Sequence, residues 1–106
     1  MKKADYYAKT EAVLHEYYTV DMAIDNIKRR KPVDEELLKQ KEELKISVEK
    51  AINTLSRDDR CFLYDVLGNQ DTTASKIMYD YGLSSSTYYR KKRNVIKYVA
   101  LCLGFV

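Results

Sequence analysis

The sequence predicts an all-α protein, a long N-terminal helical hairpin followed by a three-helix unit that contains a helix-turn-helix. Apolar residues recur at intervals of three and four through most of the chain, the period of one helix face. Only three glycines and one proline interrupt the 106 residues, which suits helices joined by short links. Aspartate and serine stand where helices would open, and glycine where two of them would close.

The first helix is expected from Ala4 to Arg30, where Tyr6, Thr10, Val13, Tyr17, Val20, Ile24 and Ile27 share one face. The pairs Tyr6–Tyr7 and Tyr17–Tyr18 lie about three turns apart and so fall on the same side. Pro32 ends this helix, because the residue before a proline avoids the helical region. Asp34 then caps a second helix whose inward series is Leu37, Leu44, Val48, Ala51 and Leu55, with Lys41 as a polar gap. Glu35 and Glu36 favour the positive end of its dipole. Two long helices with so short a link pack as an antiparallel hairpin over residues 1–55.

The second half, residues 56–106, should complete one compact domain of five helices. Ser56 caps the third helix, with Asp58 and Asp59 in its first turn, Cys61, Leu63 or Tyr64, and Leu67 inward, and Gly68 past its end. A fourth helix, about Thr73 to Tyr81, turns Ile77 and Met78 inward. Gly82 closes it in a left-handed conformation, and Leu83 plugs the turn into the core. Ser84 caps the last helix, which runs to about Leu103 with Tyr88, Val95, Val99 and Leu103 inward and Ile96 and Cys102 at the edges.

Composition narrows the function classes. Hydrophobic residues make up 45 % of the chain and charged residues 33 %, the balance of a soluble domain. The longest uncharged run, Val99 to Val106, is too short to span a bilayer, and no leader segment opens the chain, so a cytoplasmic protein is expected. Cys61 and Cys102 have apolar neighbours and no paired-ligand spacing, and are expected as buried thiols rather than a metal or disulfide site. The net charge of +3 hides an asymmetry, since residues 72–106 carry six Lys or Arg against one acid. Such clustering attracts phosphate backbones.

That positive charge sits in "GLSSSTYYRKKRNVIKY", Gly82 to Tyr98. A short helix, a glycine turn, an apolar plug, a serine cap and a basic amphipathic helix together describe a DNA-binding helix-turn-helix. The small hydroxyl residues let the end of the helix approach the major groove. Ser85, Ser86, Tyr89, Arg90 and Arg93 are the candidate base readers, and Thr87, Lys91, Lys92, Lys97 and Lys76 the candidate phosphate contacts.

The stretch from "AINTLSRDDRCFLYDVL" to the end of the last helix resembles the sigma-factor region-four type of helix-turn-helix. More narrowly, it is similar to small phage and mobile-element transcriptional regulators of the ArpU and RinA kind. Ala51, Ile52 and Leu55 match the phrase that precedes their helix-turn-helix. Gly82, Leu83, Ser84, Ser86, Thr87, Tyr88 and Arg90 match the opening of their recognition helix, and Val99, Ala100, Leu103 and Gly104 their closing tail. The resemblance covers about residues 48–105. It implies DNA binding and control of a late or packaging-associated phage promoter; double-stranded DNA is the expected partner, and no cofactor is expected. Met78 and Tyr88 depart from the pattern, standing where a small alanine and a valine are usual.

Competing readings are weaker or narrower. The tyrosine-rich hairpin has no DNA logic of its own and points to a homodimer contact or to a partner such as RNA polymerase, so a protein-interaction module is the alternative. A small terminase-like DNA-recognition subunit would use the same motif. "KRRK", Lys28 to Lys31, reads as a solubilising helix end rather than a second DNA contact. Most of the ten tyrosines read as semi-buried packing residues, with Tyr89 and one member of each N-terminal pair outward. No enzyme is expected. His15 begins "HEYYT", but Thr19 stands where a zinc-protease helix needs its second histidine, and helix-start placement explains Asp58 and Asp59.

Overall fold

The computed structural model describes residues 3–106, and among them every regular element is helical. The helices are α1 (Lys3–Tyr18), α2 (Val20–Arg29), α3 (Glu35–Asn53), α4 (Arg57–Leu63), α5 (Ala74–Tyr81) and α6 (Ser85–Cys102). A wider π-turn, Tyr64–Gly68, continues α4. The all-α expectation therefore holds, with six helices where five were expected.

The extra helix arises at Thr19. Its backbone N–H and its hydroxyl both turn back to the Glu16 carbonyl, each at 3.2 Å. A threonine hydroxyl competing for a nearby carbonyl is a local alternative to the helical ladder, and the expected Ala4–Arg30 helix breaks there. This break changes the packing. α2 lies against α3, whereas α1 packs mainly on α6 and the π-turn. The antiparallel hairpin is therefore α2–α3, and α1 belongs with the second half of the chain. The projecting hairpin accounts for a radius of gyration of 15.3 Å, where a compact chain of this length would have about 13 Å.

One apolar cluster joins α1, α3, α4, α5 and α6. Leu14 from α1, Val48 and Ile52 from α3, Phe62 and Leu63 from α4, Ile77 from α5, and Ile96 and Val99 from α6 meet in it. On α1 the inward series runs through Tyr6, Thr10 and Leu14; Val13 and Tyr17 are only half-buried. Thr10 is tolerated there because its hydroxyl donates to the Tyr6 carbonyl at 2.6 Å. Lys41, the polar gap of α3, is filled by an ion pair with Glu16. Both cysteines are exposed, contrary to the expectation of buried thiols, since α4 turns Phe62 and Leu63 inward in place of Cys61.

Gly68 also plays a different part from a helix-ending glycine. Its backbone is not left-handed. The N–H of Asn69 reaches back to the Tyr64 carbonyl at 2.8 Å, forming the wide turn, and the rings of Tyr18 and Tyr64 close over the glycine. A Cβ there would lie 2.8 Å from Tyr18 Cγ and 2.8 Å from Tyr64 Cδ2. Gly68→Ala should therefore lower stability by about 1–2 kcal/mol in urea unfolding through forced ring movement. An unchanged midpoint would mean that the rings yield freely.

Candidate nucleic-acid interface

The end of α5 and the start of α6 are set by local chemistry. Gly82 is left-handed, with φ 65° and ψ 38°. The N–H of Leu83 donates to the Met78 carbonyl at 2.8 Å and that of Gly82 to Tyr79 at 3.2 Å, the paired bonds of a Schellman turn. Leu83 packs, half-buried, against the core. The Ser84 hydroxyl accepts the Thr87 N–H at 3.3 Å, capping α6.

The inward face of α6 consists of Tyr88, Val95, Ile96, Val99 and Ala100. Ile96 and Ala100 are fully buried, so the edge role expected for Ile96 is corrected, and Cys102 faces solvent while Leu103 is half-buried. The helix is seated by aromatic edges: Phe62 meets Tyr81 at 5.5 Å and Tyr88 at 5.8 Å. Tyr89, 46 % exposed, leans its ring against Tyr88 at 4.9 Å. Contrary to expectation, all four tyrosines of the N-terminal pairs are buried or half-buried, whereas Tyr64, Tyr79 and Tyr98 are exposed.

All five candidate base readers, Ser85, Ser86, Tyr89, Arg90 and Arg93, are exposed. Ser86, Arg90, Arg93 and Lys97 follow one another at spacings of four, three and four, and so form one stripe opposite the core. No ion pair among the described residues engages Arg90, Arg93 or Lys97.

The candidate phosphate contacts divide differently. Lys97 is free on the stripe. Lys91 points back to Asp59 at 3.8 Å and lies over the Phe62 ring at 4.9 Å, and Lys92 reaches Glu11 of α1 at 3.4 Å. Burial works against the Lys92 charge, but Tyr7 and Glu11 more than offset it and hold the ammonium above its ordinary range. These two lysines are thus turned aside from the stripe and tie α6 to its neighbours. Thr87 is half-buried and accepts from the Ser84 hydroxyl at 2.9 Å, and Lys76 is exposed on α5 in a pair with Asp80 at 3.3 Å.

A side-chain hydrogen bond ties the end of α5 to the π-turn that follows α4. The Tyr81 hydroxyl donates to Asp65 at 2.7 Å, and burial together with that carboxylate raises the phenol's pKa well above its usual range. Beside the stripe an open groove of about 580 Å³ runs between α6 and the start of α4, bordered by Ser56, Asp59, Arg90, Asn94 and Tyr98. Asn94 was not among the expected site residues, although it stands one turn beyond Arg90 and its phase could have marked it. No cluster of His, Cys, Asp and Glu able to hold a metal occurs among the described residues, and none of their helices is long and apolar enough to cross a membrane.

Fold and site together define an all-α protein that presents a basic helix face directly after a capped glycine turn. The chain belongs to the family described as "Protein of unknown function (DUF1492)", whose model matches residues 16–100 and so spans the whole of this site. No curated protein and no solved structure matches the chain.

Proposed function

We propose that the chain is a sequence-specific double-stranded DNA-binding transcriptional regulator of the ArpU and RinA kind, encoded by a phage or mobile element. In this reading α6 docks in the major groove. The supporting observation is the stripe of Arg90, Arg93 and Lys97, exposed, unopposed by carboxylates, and placed just behind the Gly82–Ser84 turn. Ser85 and Ser86 are small enough to let the helix end come close, and Arg90 and Arg93 have the reach and the paired donors to take guanine edges. Lys97 supplies a phosphate contact. Lys76 supplies another by exchanging Asp80, since an exposed pair of this kind contributes little.

Mobility shifts of random-sequence duplex over a salt series test this. Affinity should fall steeply with salt, and Lys97→Ala should lower the log–log slope by about 0.9. Lys92→Ala should leave the slope near that of the parent and instead lower thermal stability, because its ammonium is engaged by Glu11. Absence of binding, or binding indifferent to salt, would overturn the proposal. One observation favours a protein partner as a second reading: Tyr79 on α5 is 86 % exposed, an aromatic of the type that anchors protein interfaces. RNA polymerase would be such a partner.

A further inference from the structure

Asn94 stands near the middle of α6, exposed, and takes part in none of the side-chain hydrogen bonds or ion pairs around it among the described residues. It caps no helix end, and asparagine is a weak helix former, so the helix itself gains nothing from it. Between Arg90 and Lys97 it is the one exposed side chain that offers a donor and an acceptor together in a plane.

Its neighbours give that carboxamide a context. Arg90, Arg93, Asn94 and Lys97 stand at i, i+3, i+4 and i+7, which gathers all four on one side of the helix. A helix lying along the major groove reads base edges at this same spacing in the homeodomain type of helix-turn-helix, with an asparagine on adenine at the i+4 place. The chemistry is general: a carboxamide pairs bidentately with adenine N6 and N7, and a guanidinium with guanine O6 and N7. Four helical residues advance about 6 Å, close to two base-pair steps of about 3.4 Å. Asn94 and Arg90 both border the open groove beside α4, so the chain leaves room on that side for a base edge.

We infer that Asn94 reads an adenine through N6 and N7, about two base pairs from the guanine taken by Arg90. α6 then lies along the groove over the span Arg90–Lys97, rather than entering by its tip alone. This rests on the DNA-binding reading and deepens it by naming a feature of the target sequence.

The test is selection of bound duplexes from a random library by the full chain and by Asn94→Ala, with binding of unselected duplex at low salt measured for both. That low-salt binding shows whether the variant retains its fold. The parent should select a site with a strongly preferred adenine. The variant should lose the preference at that position alone and bind the selected site about 5- to 150-fold more weakly, with low-salt binding unchanged. Identical base preferences and affinity from parent and variant would overturn the inference and leave the DNA-binding reading intact. A parent chain that retains no duplex at any salt would overturn that reading itself.

Discussion

Phe62→Ala should lower the unfolding free energy by about 3–5 kcal/mol, read as a shift of the urea midpoint. Phe62 is 1 % exposed and is the side chain on which the three C-terminal helices converge. Its ring receives the edges of Tyr81 from α5 and Tyr88 from α6, and Lys91 lies over it. Alanine removes the apolar contact and leaves a void that two large rings cannot both fill. Domains of this size are stable by only about 5–15 kcal/mol, so the loss is a large share of the total. Phe62→Leu should recover much of it. A midpoint for the alanine variant equal to that of the parent would contradict the role given to this ring.

Arg90→Ala should weaken binding to a selected duplex by about 1–3 kcal/mol and relax the base preference at one position. The residue lies on the exposed stripe with no carboxylate against it, so its loss removes no intramolecular pair and stability should hardly change. Competition titrations against random duplex distinguish this from a general electrostatic loss. If specific and random affinities fell equally, Arg90 would be a phosphate contact and not a base reader.

What could be read from the sequence follows from which interactions are local. The caps at Asp34, Ser56 and Ser84 and the left-handed Gly82 rest on groups within a few residues of one another, and each stands where the sequence places it. The stripe of Arg90, Arg93 and Lys97 was legible for the same reason, because helical phase alone groups them. Periodicity says which face is inward but not which element covers it. So the partnership of α1 with α6 was hidden, and with it the tie of Lys92 to Glu11. The break at Thr19 turns on one hydroxyl competing for one carbonyl. The π-turn closes through Asn69 and Tyr64, but the Tyr18 ring that packs over its glycine comes from fifty residues earlier. Cys61 and Cys102 look apolar from their neighbours, yet a helix rotated by one position exposes them.

The packing of α1 on α6 bears on how far the C-terminal half can act alone. Leu14 is fully buried in the cluster that holds Ile96 and Val99, Glu11 engages Lys92, and Lys9 lies over the Phe105 ring at 4.2 Å. Residues 56–106 should therefore not hold their fold when cut from the chain. Cut away, they would present the greasy back of α6 to water. In the intact chain the first helix serves as a splint, and whatever tilts that splint also tilts the stripe of Arg90, Arg93 and Lys97.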